Sequence, residues 1–283
     1  MSETIAVVGA GQMGSGIAHV GAQAGLAVTM IDVSADAVAK GRSSIEKNLD
    51  RQVKKNTLDA AARDATLARI ATATDLGAVA GTSVVIEAAT ESRDLKFRIF
   101  RDLDRLAPPG ALLGTNTSSI SITEIAAQTK RPADVIGMHF MNPVPMMKLV
   151  EVIRGLATSD ATCQRTVALA TALGKTPVEA NDCPGFIANR VLMPMINEAV
   201  YCVMEVVGTP DAVDAVMKLG MKHPMGPLAL ADLIGLDTCV AILEVLHEGL
   251  GDPKYRACPL LRKYVAAGWL GRKSGRGFFS YAT

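Results

Sequence analysis

Two stretches of this chain hold residue types whose spacing could do chemistry. In the first, the apolar runs Val135–Phe140 and Lys148–Val152 flank a loop broken by Pro143 and Pro145. Runs of this kind read as two strands of a hairpin. With the pairing centred near Pro145, His139 and Glu151 are equidistant from the centre and fall opposite one another on one face, close enough to touch. A histidine held by a carboxylate is a general base with a fixed tautomer and a stabilised protonated form. The competing reading is a core histidine and an unrelated surface glutamate.

The second stretch is Gly9-Ala10-Gly11-Gln12-Met13-Gly14. A β-branched apolar run, Thr4–Val8, precedes it, and a helical pattern over Ser15–Ala24 follows. A second strand, Ala27–Ile31, then ends at Asp32. Strand, GxGxxG, helix, strand and acidic residue in this order predict a dinucleotide site. Gly9 permits the tight turn, Gly11 lets the backbone approach a pyrophosphate, and Gly14 allows close helix–strand packing. Asp32 can accept hydrogen bonds from ribose hydroxyls and would repel a 2′-phosphate, so the expected cofactor is NAD rather than NADP. The alternative is a Gly-rich turn in some other α/β fold.

The elements that must position these groups follow in order. Asp36 to about Lys55 is a long polar helix carrying Lys40, Arg42, Lys47, Arg51, Lys54 and Lys55 against Glu46 and Asp50. By itself such a run reads as a solvated face, with an anion-landing surface as the rival reading. With a helix over Asp59–Arg69 it forms an inserted hairpin. Strands at Ser83–Ala88 and Ala111–Gly114 bracket a helix from Arg93 to Leu106. Glu91, Asn116 and Ser118 fall at strand ends, where open parallel sheets bind ligands. Turn and capping chemistry would favour the same residue types. A helix near Ile122–Gln128, the hairpin, a helix over Ser159–Leu173 and a last strand at Thr176–Glu179 complete this part. Beyond Asn189 only helices are expected: Asn189–Val207, Asp211–Leu219, Leu228–Ile234, Asp237–Gly249 and Pro259–Ala267. An α/β domain over 1–185 therefore precedes a helical one over 186–283.

Composition narrows the function classes. At 283 residues, with 49% hydrophobic and 20% charged residues and a net charge of +1, the chain has the balance of a globular protein. Near-neutrality supplies no whole-chain argument for nucleic acid or membrane binding. The five cysteines include no CxxC pair, and an odd number cannot all pair internally, so reduced thiols in a cytoplasmic setting are expected. The four histidines form no ligand-spaced cluster with them, and no metal site is expected. The opening Met1-Ser2-Glu3-Thr4 lacks a basic n-region, so no signal peptide is expected. No apolar segment qualifies as a membrane span.

Taken together, the motifs resemble the L-3-hydroxyacyl-CoA dehydrogenase family, most closely its short bacterial 3-hydroxybutyryl-CoA branch. The resemblance runs from Ile5 to Tyr281. It rests on the Gly9–Ala18 segment, Glu87-Ala88-Ala89, Asn116-Thr117-Ser118-Ser119 and Gly137-Met138-His139-Phe140-Met141-Asn142-Pro143. It continues through Leu149-Val150-Glu151-Val152, Pro184-Gly185-Phe186-Ile187-Ala188-Asn189-Arg190, His223-Pro224-Met225-Gly226-Pro227 and Gly271-Arg272-Lys273-Ser274-Gly275. The glycine motif is common to many dehydrogenases, whereas the His-Phe-Met-Asn-Pro and Pro-Gly-Phe pieces are far more specific.

The resemblance implies a Rossmann-type doubly wound sheet with an inserted helical hairpin, followed by an all-helical domain for substrate binding and dimerisation. It implies reversible NAD-dependent oxidation of a (S)-3-hydroxyacyl-CoA, 3-hydroxybutyryl-CoA foremost, to the 3-ketoacyl-CoA. His139 resembles the base and Glu151 its orienting carboxylate. Ser118 and Asn189 match the polar residues that hold the substrate oxygen and the histidine. Besides the glycine motif with Gln12 and Met13, and Asp32, the cofactor positions are Glu91, Lys96, Asn116, Asn142 and Lys273. Asn48, Arg51 and Lys55 fall where the family meets coenzyme A, which favours the anion-landing reading of that helix. A homodimer through the helical domain is expected. The rival readings are a same-fold dehydrogenase of a non-CoA hydroxy acid, an inactive crystallin-like NAD binder and a regulatory NAD-sensing module. The basic helix argues against the first, and the intact Ser118, His139, Glu151 and Asn189 set argues against the second. For the third, the chain offers no dedicated partner-binding segment.

Overall fold

The computed structural model describes residues 3–281; Met1, Ser2, Ala282 and Thr283, which the expected domain spans include, lie outside them. The chain folds as two compact units that divide between Cys183 and Pro184.

The first unit alternates strands and helices. Its elements begin with β1 (Thr4–Val8), α1 (Gln12–Gln23), β2 (Ala27–Ile31), α2 (Ala35–Lys54), α3 (Ala60–Ala68) and β3 (Ile70–Ala73). Then come β4 (Val84–Glu87), α4 (Arg93–Leu106), β5 (Leu112–Thr115), α5 (Ile122–Ala126) and β6 (Val135–Phe140). The unit closes with β7 (Leu149–Arg154), α6 (Asp160–Ala172) and β8 (Thr176–Asn181). One sheet holds all of these strands in the order β3-β2-β1-β4-β5-β6-β7-β8. Every neighbouring pair is parallel except β6 and β7. Chain order reverses between β1 and β4, which makes the crevice above their C-terminal ends the topological switch point where such sheets bind ligands.

The strands form because they are apolar and covered on both faces, as parallel sheets require. Val84–Ile86 and Val135–Phe140 are buried throughout. Ile5, Val7, Val28, Ile86 and Met138 join Ile17, Ile45 and Leu49 from α1 and α2 in one core. The helices start at side-chain caps: Ser34 accepts from Ala37 N, Asp59 from Ala62 N, and Ser159 from Thr162 N. Arg63 ties α3 to α2 through Glu46 and Asp50, each at 3.0 Å, so the helical hairpin is a packed pair.

Several boundaries depart from the sequence expectation. Helix α1 begins at Gln12, so half of the glycine motif is already helical. Strand β3, Ile-Ala-Thr-Ala, was not expected: it is four residues at a sheet edge with only Ile70 fully buried, too short for a periodic signal. Strand β8 runs on to Asn181 because each residue from Thr176 to Asn181 finds a parallel partner in Leu149–Arg154.

The second unit is helical: α7 (Ala188–Met204), α8 (Pro210–Leu219), α9 (Pro227–Ile234), α10 (Leu236–Leu250) and α11 (Pro259–Ala266). Met193, Ile196, Val200, Leu228, Leu243, Leu246 and Leu261 form its core. Asp232, buried at 1% exposure, accepts from Phe278 N, Phe279 N and the Tyr281 hydroxyl and so pins the chain end to α9. Isolated bridges at Gly271, Arg276 and Ser280 are the extended pairing here.

Candidate active site

The glycine motif closes the turn between β1 and α1. Gly9 has φ +107°, and a Cβ there would lie 2.5 Å from Ala88 O at the end of β4, so the turn admits only glycine. At Gly14 a Cβ would lie 1.8 Å from Gly9 O. At Gly11 the same test finds nothing within 4 Å. That open space lies at the N-terminus of α1, whose first-turn N–H groups have no intrahelical acceptor, and it fits a pyrophosphate. Asp32, just past β2, accepts Ala10 N at 2.9 Å and Ser34 N at 3.0 Å, one on each oxygen. Each oxygen retains a lone pair for a ribose hydroxyl. The residues present therefore fit a dinucleotide.

A second layer of the site stands at the ends of β4 and β5. Glu87 is wholly buried and Lys96 of α4 is 1% exposed. Lys96 Nζ donates to both carboxylate oxygens of Glu87 at 2.7 and 2.9 Å, and Thr115 Oγ1 donates at 2.7 Å. Ala89 N completes the set at 2.7 Å. Lys96 Nζ also lies 3.4 Å from Glu91 Oε2. Glu91 in turn accepts from the Thr117 hydroxyl at 2.6 Å, Ser118 N at 2.9 Å, Ser119 N at 3.1 Å and the Ser119 hydroxyl at 2.8 Å. Partial burial works against the Glu91 charge, but Lys96 and these hydrogen bonds outweigh it and hold its carboxyl below the usual range. The loop that carries Ser118 is thus built on Glu91.

Lys96, expected on the cofactor side, spends its ammonium inside the protein. Glu87 was missed as a functional candidate, although a carboxylate closing an otherwise apolar strand was the available signal. Asn116 accepts Phe140 N at 2.9 Å and so joins the end of β5 to β6.

His139 on β6 pairs with Glu151 on β7 in antiparallel register. Its Nδ1 lies 2.8 Å from Glu151 Oε2, and both residues are buried, at 8% and 2% exposure. Glu151 accepts the Nδ1 proton in the neutral tautomer, which turns Nε2 into the acceptor nitrogen.

The arc between these strands lines a cavity of about 300 Å³ together with α1 and α2. Asn142, Val144 and Met146 face it from the arc, Gln12 and Ser15 from α1, and Asn48 and Arg51 from α2. Gln12 Nε2 donates to Asn142 Oδ1 at 3.1 Å, and Arg51 donates to Asn48 Oδ1. Met13 is partly buried against the core of this unit. Arg42, from the same basic run, is committed to Ile70 O at 2.7 Å. Lys55 is the exposed C-cap of α2 and lies outside the cavity lining.

Two expected residues belong to the other unit. Asn189 is in the first turn of α7. Lys273 pairs with Asp237 at 2.6 Å, an ion pair half open to solvent.

An open, mostly parallel sheet with a glycine turn at its switch point, and a buried histidine–carboxylate pair a few strands away, define a dinucleotide-dependent oxidoreductase. Residues 4–183 match the 3-hydroxyacyl-CoA dehydrogenase NAD binding domain, and residues 185–281 match the C-terminal domain of the same family. The chain is 59% identical over 277 residues to a probable 3-hydroxybutyryl-CoA dehydrogenase of Bacillus subtilis, covering 98% of this chain and 96% of that one. It is 41% identical over 284 residues to the human mitochondrial hydroxyacyl-coenzyme A dehydrogenase, covering 98% and 90%. The crystal structure of (S)-3-hydroxybutyryl-CoA dehydrogenase from Ralstonia eutropha superposes with a TM-score of 0.98 at 50% identity, covering 100% of both chains. The chain belongs to the 3-hydroxyacyl-CoA dehydrogenase family, and its first unit is the NAD binding domain of that family.

Proposed function

We propose that this protein catalyses the reversible NAD-dependent oxidation of (S)-3-hydroxybutyryl-CoA to acetoacetyl-CoA, with His139 as general acid and base. The observation that carries the reading is the buried Nδ1–Oε2 contact of 2.8 Å between His139 and Glu151, on the same sheet as a dinucleotide turn. The names of the full-length relatives supply the substrate class.

In the oxidative direction His139 Nε2 takes the proton of the 3-hydroxyl. Glu151 holds the imidazole in the productive tautomer and balances the imidazolium that forms. The nicotinamide, when bound, would supply the acceptor for the hydride that leaves C3 of the substrate. In the reductive direction the protonated imidazole returns its proton to the ketone oxygen. Ser118, on the loop organised by Glu91, is assigned to that oxygen, and Asn189 is expected to share the task. Asp32 selects NAD. Arg51 and Asn48 in the cavity wall are assigned to the phosphorylated end of the substrate, with Lys55 at the exposed end of the same helix.

The helical unit is proposed to form a homodimer. Val206, Val207 and Leu219 are 87%, 73% and 83% exposed there and are the apolar side chains offered for such an interface. Sedimentation at micromolar concentration tests this, and a monomer would refute it. A cytoplasmic location is proposed from the five cysteines, an odd number with no CxxC pair. Fractionation of the producing cell tests that assignment.

Turnover of NADH with a series of 3-ketoacyl-CoA thioesters and with free acetoacetate tests the function. The four-carbon thioester is expected to give the highest kcat/KM and free acetoacetate almost none. Comparable rates on the free acid would favour a non-CoA hydroxy acid, and no turnover of any would refute the reading.

A further inference from the structure

Lys175 lies between α6 and β8 and is not among the residues assigned to chemistry. It is 8% exposed. Its Nζ donates to Val144 O and, at 2.8 Å, to Met147 O. Among the described residues no carboxylate pairs with this ammonium, and burial pushes it below the ordinary lysine value. A buried cation satisfied by carbonyls alone is costly. Such a group contributes less to stability than a well-packed apolar residue would, so its placement calls for another role.

The carbonyls it binds belong to the arc that joins His139 to Glu151. Met146 N and Met147 N both donate to Pro143 O at 3.0 Å, so the arc is a tight turn, and it presents Val144 O and Met147 O to Lys175. The lysine backbone is itself anchored: its N donates to Ala170 O at 3.0 Å, and Thr176 N donates to Lys148 O at 2.7 Å. From the opposite side Val144, 2% exposed, packs against Gly16 of α1, where a Cβ would lie only 2.8 Å from Val144 Cβ. The arc is therefore held between the helix of the glycine motif and a buried ammonium, and its outer surface is a wall of the 300 Å³ cavity.

We propose that Lys175 is a positioning residue that latches the Val144–Met147 arc and thereby sets the shape of the cavity which that arc walls. This rests on the reading that the cavity receives the acyl-CoA. Loss of the latch frees two carbonyls and lets the arc move, while the glycine turn and Asp32 are untouched. The substrate side should suffer and the cofactor side should not.

The test is Lys175→Met in the full-length protein, a change that keeps much of the side-chain volume and removes the donors. Two readouts are needed. Amide hydrogen exchange should quicken in the peptide covering 141–148 and stay unchanged over 4–32. KM for acetoacetyl-CoA should rise about tenfold or more while KM for NADH changes by less than about twofold. Where Lys175→Met does not accumulate folded, Lys175→Gln, which can still donate one bond, takes its place with the same readouts. A variant that loses thermal stability but keeps wild-type exchange in 141–148 and wild-type KM would overturn the proposal. So would an equal rise in both KM values. Should the wild type itself not turn over acyl-CoA, the functional reading fails, and exchange in 141–148 still decides whether the latch exists.

Discussion

His139 and Glu151 are directly opposed in an antiparallel pair of strands, with Nδ1 and Oε2 2.8 Å apart and both side chains out of water. A contact made across a sheet ladder is held by the backbone register, so the imidazole is oriented before any substrate arrives. Glu151→Gln preserves shape and removes the counter-charge. It should lower kcat by about 10² or more, and His139→Gln by at least as much. Oxidation needs the neutral imidazole and reduction the protonated one, so both directions should fail together in these variants. Wild-type kcat in His139→Gln would end this mechanism.

Asp32 accepts backbone N–H groups from both the glycine turn and the start of α2. Its removal should weaken NAD binding by about 1.5–3 kcal/mol, the range for hydrogen bonds to a charged group. Asp32→Ala should also narrow the preference for NAD over NADP, measured as the ratio of kcat/KM values. An unchanged ratio would take Asp32 out of cofactor selection.

The Glu87–Lys96 pair is buried and hydrogen-bonded on every side. Breaking it leaves one charge stranded, which typically costs about 3–5 kcal/mol. Lys96→Met should show that loss in denaturant titrations. Through Glu91 it should also disturb the Ser118 loop and raise KM for the acyl-CoA more than KM for NADH. A larger effect on NADH would support the cofactor-side assignment of Lys96.

Arg51 faces the cavity wall, and Lys55 caps the same helix. The double variant Arg51→Ala with Lys55→Ala should raise KM for acetoacetyl-CoA and flatten its salt dependence, since screening acts on the attraction these charges provide. KM for NADH should hardly move. If low-salt KM for the thioester stays at its wild-type value, the helix is a solvated face.

His19 on α1 is fully buried, and burial, with Lys175 nearby, lowers its pKa from 6.5 to about 4, against a smaller opposing effect of the Gln23 hydrogen bond. As pH falls below 6.5 the unfolded chain takes up this proton and the folded chain refuses it. Stability is therefore lost between pH 6.5 and 4, and His19 accounts for about 2 kcal/mol of that loss by pH 5. Urea midpoints at pH 7.5 and 5.0 should differ less in His19→Leu than in the wild type. Equal differences would show that His19 titrates normally.

Much of the first unit was legible from the chain alone because its signals are local. Runs rich in β-branched residues mark β1, β2 and β4, and the glycine motif with Asp32 announces a dinucleotide turn within one βαβ segment. The opposition of His139 and Glu151 was also legible, because the side-chain period of a hairpin converts spacing directly into proximity. Contacts between segments distant in sequence leave no such period. Nothing in Lys175 announces that its ammonium sits beneath the arc from Val144 to Met147. Nothing in Lys96 tells that its charge is spent on Glu87, nor in Arg42, of the same basic run as Arg51, that it serves a carbonyl at Ile70. A lysine or arginine is written the same way whether it meets solvent, a ligand or a buried carbonyl. Its long side chain lets the tertiary packing decide, because the polar group must find a partner wherever the fold has excluded water.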